Sequence, residues 1–121
     1  MKLYGFSRSS AAFRVRIALN LKGISWEHVN ISLPDGDQFD NEYKKLNPQG
    51  RVPTLIDGDR ILYQSMAILE YLDETHPDPA FLPSEPKTRA RVRGLADIIA
   101  CDIHPLNNLA VLKFLEHEVG A

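Results

Sequence analysis

Cysteine is nearly absent from this 121-residue sequence: Cys101 stands alone. A lone cysteine cannot build an internal disulfide framework, which sets aside oxidised secreted scaffolds and fits a reducing cytoplasm. Charge of one sign is equally scarce. Fourteen Lys and Arg against sixteen Asp and Glu leave a formal net charge of −2, so no bulk field draws the chain to nucleic acid or an anionic bilayer. No uninterrupted apolar run comes near the ~20 residues of a membrane span. Neither nucleic acid nor membrane is therefore expected as a partner. His28, His76, His104 and His117 are scattered without H-x-x-x-H or Cys spacing, so no metal site is expected. Repeats and low-complexity tracts are missing. Met1-Lys2-Leu3-Tyr4 leads straight into a strand pattern, and no signal peptide is expected.

The most informative stretch runs from Asn47 to Leu72. Two short apolar runs, Thr54–Ile56 and Ile61–Tyr63, flank Asp57-Gly58-Asp59. This is a hairpin signal, because Gly supplies the positive φ of a tight turn. Val52-Pro53 precedes the first run, and proline cannot donate to a ladder. A cis bond there would turn the N–H and C=O of Val52 outward, free to pair with an extended peptide. Gln64-Ser65 then opens a helix on Ile68, Leu69 and Leu72, whose N-terminal N–H groups suit a carboxylate. Backbone pairing beside an anion seat suits a short peptide with a free carboxylate. A hairpin and helix made only for core packing is the alternative.

In chain order, Lys2–Phe6 reads as a strand and Ala11–Lys22 as a helix with Phe13, Ile17 and Leu21 at i, i+4, i+8. Gly23 is a C-terminal stop. Trp26–Ile31 reads as a strand and Asp40–Leu46 as a short helix. The hairpin and a Ser65–Thr75 helix follow. The first unit is βαβ, and the hairpin makes the sheet mixed. The proline-rich run Pro77–Pro86 marks a boundary. It divides residues 1–80 from 81–121, where Ser84 is the expected cap of a helix through Val92, Leu95 and Ile99. Asp102-Ile103-His104-Pro105 is expected to break or bend that helix. Asn107–Glu118 is a further helical run. Two helices do not make a core alone, so 81–121 reads as a fragment of a second domain, or as helices completed by a partner chain.

Ser9 and Ser10 stand where the first strand feeds the first helix. A thioredoxin-like redox protein would place Cys-x-x-Cys at that corner; Ser9-Ser10-Ala11-Ala12 excludes dithiol exchange unless Cys101 acts alone. A thiol brought by the ligand could still be held as thiolate by a serine hydroxyl and a helix N-terminus. Simple capping is the alternative. Arg8 could hold a substrate carboxylate or be a solvated surface residue. Arg14 and Arg16 read as structural or surface ion-pair residues. Lys87, Arg89, Arg91 and Arg93 fall on different helix faces and do not make a nucleic-acid stripe. His104, beside Asn107 and Asn108, reads as a capping group or a ligand contact.

Arg8-Ser9-Ser10-Ala11-Ala12-Phe13-Arg14-Val15-Arg16-Ile17-Ala18-Leu19 resembles the Ser-Ser-Cys-x-Trp-Arg-Val-Arg-Ile-Ala-Leu signature of zeta-class glutathione transferases. Asn47–Leu55 and Gln64–Leu72 resemble the glutathione-site segments of that class. Cys101–Asn108 is similar to the bacterial maleylpyruvate and maleylacetoacetate isomerases within it. The resemblance implies a thioredoxin-like domain of mixed four-stranded sheet, then an all-helical domain, incomplete here, in a cytoplasmic homodimer. It implies Ser9 as the group that activates the glutathione sulfur, with Ser10 and Ala11 beside it and Arg8 steering a diacid substrate. Val52, before a cis Pro53, would pair with the cysteinyl backbone. Gln64 and Ser65 would hold the γ-glutamyl carboxylate, with Gln38 and Gln49 near the other end of the tripeptide. His104 and Asn108 would come from the helical part, and Asp102 would reach the site of a second subunit. Two positions depart from the pattern: Ala11 replaces the signature cysteine, and Ala110 stands where bacterial relatives often carry a substrate-binding arginine.

The implied reaction is glutathione-dependent cis–trans isomerisation of maleylacetoacetate or maleylpyruvate in aromatic catabolism, by thiolate addition, bond rotation and elimination. A glutathione-binding module without turnover and a general glutathione-conjugating transferase are the alternatives.

Overall fold

Four strands form one mixed sheet in the order β2-β1-β3-β4. A computed structural model describes every residue, Met1–Ala121, in two units, Met1–Phe81 and Leu82–Ala121. The first unit runs β1 (Lys2–Gly5), α1 (Ser10–Leu21), β2 (Glu27–Asn30), a 3-10 turn at Asp37–Phe39, α2 (Asn41–Leu46), β3 (Thr54–Asp57), β4 (Arg60–Tyr63) and α3 (Ser65–Thr75). This is the expected order of strands and helices.

Register decides what gathers where. β1 is parallel to β2 and antiparallel to β3, and β3 is antiparallel to β4. β1 and β4 therefore run the same way, and each feeds a helix at the same end of the sheet. Tyr4 at the end of β1 faces Thr54 at the start of β3, and Thr54 faces Tyr63 at the end of β4. The start of α1, the Val52-Pro53 segment and the start of α3 thus converge on one edge. One strand separates the two helix-bearing strands, a span of about 10 Å at the usual interstrand spacing.

The core joins Leu3 of β1, Val15, Ala18 and Leu19 of α1, Leu55 of β3, and Ile68 and Leu72 of α3. This corrects the reading of α1. The stripe Phe13, Ile17 and Leu21 is 53%, 42% and 61% exposed, and the buried face is Ala12, Val15, Ala18 and Leu19. Close approach selects that face: a Cβ on Gly5 of β1 would lie 3.2 Å from the Ala12 Cβ. Only small residues fit where α1 crosses the sheet. Helices α1 and α3 are tied at both ends. Arg14 Nη1 donates to Ser65 Oγ at 3.0 Å, and Lys22 Nζ to Asp73 Oδ1 at 2.7 Å.

The second unit runs α4 (Pro86–Asp97), a π-helical turn at Ile98–Ile103, a 3-10 turn at His104–Leu106, α5 (Leu109–Phe114) and a π-helical turn at Leu115–Val119. The cap of α4 is Glu85, not Ser84. Its carboxylate accepts N–H bonds from Lys87 and Thr88 at 2.8 and 2.7 Å, and Pro86 takes the first helical position. Each carboxylate oxygen takes one orphan donor of the first turn. The expected break at Asp102–Pro105 is a change of winding, from α through π to 3-10. No residue of this unit is buried. By length and composition alone, Pro86–Val119 contains an 18-residue window apolar enough to cross a membrane. Its helical path is interrupted at Asn107–Asn108, and no apolar run in it is unbroken: Asp97 and Asp102 stand in its most apolar part, and each would cost ~3 kcal/mol at a bilayer centre.

Candidate functional site

At the shared edge, Ser9 caps α1. It sits in extended backbone and its Oγ accepts the Ala12 N–H at 3.2 Å. A hydroxyl that accepts still has its own hydrogen to give, so capping and donation to a ligand are compatible. The loop before it is fastened from the helix. Arg16 donates to the carbonyls of Phe6 at 3.2 Å and Ser7 at 2.9 Å, and the Ser9 N–H donates to Phe6 O at 3.0 Å. Arg8 is exposed in this loop, Ser10 is exposed, and Ala11 is half-buried.

Opposite stands the Val52-Pro53 segment, whose peptide bond is cis. Val52 enters none of the backbone hydrogen bonds of turns and loops, so its N–H and C=O are available to an added strand. Buried groups brace the segment from behind. Asn47 Nδ2 donates to Arg51 O at 2.9 Å and Thr54 Oγ1 at 3.2 Å, and Tyr43 Oη donates to Arg51 O at 2.6 Å. Burial pushes the Tyr43 hydroxyl pKa up, against its bonds to Thr54 and Asn47, which lower it.

The third component is the start of α3. Gln64 precedes it with φ +73°, the only non-glycine residue at positive φ. Its Nε2 donates to Gln49 Oε1 at 2.6 Å, which brings two of the expected site residues together. Ser65 is buried and accepts from Arg14. Gln38 is buried in the 3-10 turn, and its Oε1 has no hydrogen-bond partner. An orphaned buried acceptor costs about 1–3 kcal/mol. Its backbone O would lie 3.0 Å from a Cβ on Gly50, whose φ is +59°, so Gly50 is required both for conformation and for space.

Against known proteins, the sequence model described as "Glutathione S-transferase, N-terminal domain" matches residues 3–80. The chain belongs to the glutathione S-transferase family. Maleylpyruvate isomerase of Ralstonia sp is 48% identical over all of this chain and 57% of the relative's length. A solved holo structure of maleyl pyruvate isomerase, described as a bacterial zeta-class glutathione S-transferase, has a TM-score of 0.97 at 48% identity over all of this chain and 57% of that one. Maleylacetoacetate isomerase of Methylobacterium extorquens AM1, solved with bound malonate and glutathione, has a TM-score of 0.93 at 52% identity, again over all of this chain and 57% of its own. The chain spans about half the length of the curated relatives it matches.

Seven residues of this glutathione S-transferase chain that the sequence singled out, Ser9, Ser10, Gln49, Val52, Pro53, Gln64 and Ser65, fall on three segments that meet at one sheet edge. Gln38 lies beside Gly50 just behind them. Asp102, His104 and Asn108 belong to the second unit. There Asp102 is exposed and His104 half-buried. Asn108 caps α5, accepting from the Ala110 N–H at 2.9 Å and donating to Pro105 O at 2.6 Å, so the capping role weighed for His104 falls to Asn108. Arg14 and Arg16, which read from the sequence as structural or surface ion-pair residues, make structural hydrogen bonds and no ion pair: Arg14 to Ser65, Arg16 to the Phe6 and Ser7 carbonyls. Sequence reasoning missed two supports, the buried Tyr43 and Asn47.

Proposed function

We propose that this chain is the glutathione-binding half of a zeta-class isomerase acting on maleylacetoacetate or maleylpyruvate. Residues 1–80 would form the thioredoxin-like binding domain and 81–121 the start of the helical domain. The observation that carries the reading is convergence on one edge of a hydroxyl donor at Ser9, unpaired backbone at Val52 and a capped, buried hydroxyl at Ser65. These match a thiol, a peptide bond and a carboxylate spaced along one short peptide. The relatives solved with bound glutathione support that choice of ligand.

Bound glutathione would supply a nucleophilic thiolate for addition to, and elimination from, the maleyl double bond. The protein's part is to hold charge. The Ser9 O–H donates to the sulfur, and the start of α1 favours its anionic form. Val52 fixes the cysteinyl unit by two backbone bonds. Gln64 and Ser65 anchor the glutamyl end. The exposed Arg8 attracts the diacid. Assembly as a cytoplasmic homodimer belongs to the same reading, and its check is light scattering.

The test is thiolate absorbance on titrating glutathione, with isomerase turnover in the protein extended to the relatives' length. Thiolate should form near neutral pH, its apparent pKa should rise in Ser9→Ala, and both maleyl substrates should be assayed. Absence of glutathione binding overturns the reading. Binding without turnover favours a binding module. Turnover confined to electrophiles such as chlorinated acids favours a conjugating transferase.

A further inference from the structure

Arg14 has no part in the site as proposed above, yet its guanidinium is committed to one atom of it. Nη1 donates to Ser65 Oγ at 3.0 Å from a half-buried position. Ser65 itself is only 7% exposed. The geometry has a directional consequence. A serine hydroxyl has one hydrogen and two lone pairs, and a guanidinium has donors but no acceptor. The Ser65 hydrogen therefore cannot point at Arg14 and must be given elsewhere. Mid-helix serines often give it to the carbonyl four residues back. Ser65 is the first residue of α3, and the residue four back, Ile61, lies in β4, so no helical carbonyl is there to take it. Gln64 offers no side-chain cap to the helix either. The hydroxyl is thus oriented by a cation behind it, and accepting a charge-assisted bond makes it a stronger donor.

We propose that Arg14 is a positioning residue for carboxylate recognition, acting through Ser65 rather than by touching the ligand. It turns and polarises the Ser65 hydroxyl toward an incoming carboxylate. Because Arg14 and the Ser9 cap share α1, the same bond sets the separation between the two ends of the ligand. This rests on the glutathione reading above and names how its carboxylate end is selected.

The experiment is calorimetric titration of the whole 121-residue chain with two probes: glutathione, and the analogue in which hydrogen replaces the α-carboxylate of its glutamyl residue. Wild type should prefer glutathione by at least tenfold. Arg14→Met should lose about tenfold on glutathione, the scale of a hydrogen bond to a charged group, with no change on the analogue. Ser65→Ala should lose about as much, and adding Arg14→Met to it should cost no more. Arg14→Gln keeps a donor without the charge and should lose about threefold, which keeps the proposal open to test if the methionine variant is poorly folded. Equal losses on both probes, or a full tenfold loss from Arg14→Met in the Ser65→Ala background, would overturn the inference, because Arg14 would then be structural or a direct ligand. Wild type that binds neither probe would overturn the glutathione reading itself, and this inference with it.

Discussion

Lys22 Nζ lies 2.7 Å from Asp73 Oδ1, with the lysine side chain wholly buried and the aspartate 11% exposed. The same oxygen accepts the Phe81 N–H at 2.7 Å. The ammonium also donates to Pro79 O at 2.6 Å and sits 4.0 Å from the centre of the Phe81 ring. One ion pair thus joins α1, α3 and the segment that closes the first unit. Removing one partner strands a buried charge. Lys22→Met is expected to lower the unfolding free energy by about 3–5 kcal/mol in urea denaturation. The double variant Lys22→Met/Asp73→Asn, which removes the second charge and keeps an acceptor for the Phe81 N–H, should recover much of that. A single-variant loss below about 1 kcal/mol would mean that the pair behaves as a surface contact.

Gln64 holds a positive φ that glycine adopts without penalty. Gln64→Gly is expected to raise stability by about 1 kcal/mol, while glutathione affinity falls because the side chain is gone. Gln64→Ala should lose affinity with no gain in stability. Unfolding midpoints measured beside calorimetry separate the two. If glycine gives no gain, the backbone there carries no strain.

Tyr43 sets an alkaline limit. Burial raises its folded pKa above the ordinary value of 10.0, so the folded state holds that proton more tightly than the unfolded chain does. Its contribution is complete below the unfolded pKa and is lost as pH rises through the folded one. Tyr71 shifts the same way, chiefly because its hydroxyl donates to Asp57. Denaturant midpoints should therefore fall at strongly alkaline pH. Tyr43→Phe should be less stable by about 1 kcal/mol at neutral pH and should lose part of that alkaline fall. An unchanged pH profile would contradict this account.

The two faces of α1 make opposite demands. Leu19→Ala is expected to cost about 2–5 kcal/mol, because Leu19 is wholly buried. Ile17→Ala should stay within about 0.5 kcal/mol in this chain. Equal costs at both positions would mean that the exposed stripe is covered in solution.

That helix shows why parts of the fold were legible and others were not. Strand and helix order, the hairpin at Gly58 and the stop at Gly23 follow from period and turn chemistry, which are local. Which face of α1 is buried depends on how closely Ala12 approaches Gly5 across the sheet, and neither residue announces that in sequence. The site divides similarly. The placement of Ser9, Val52 and Ser65 was readable because each sits at a junction of elements where backbone groups go unpaired. The particular partners of Arg14, Arg16 and Asn47 were not, because they are residues or carbonyls that only the folded chain brings near. The second unit hid its cap as well: a glutamate beside proline reads as first-turn charge, and only the Lys87 and Thr88 bonds show Glu85 as the cap.

The two ties between α1 and α3 each join residues fifty-one apart in sequence. Equal offsets require the helices to point the same way, so their dipoles lie side by side with like poles together, a repulsive arrangement. The tethers hold that tension, and an anion at the common pole would relieve it. Added salt should therefore stabilise the empty protein more than the loaded one.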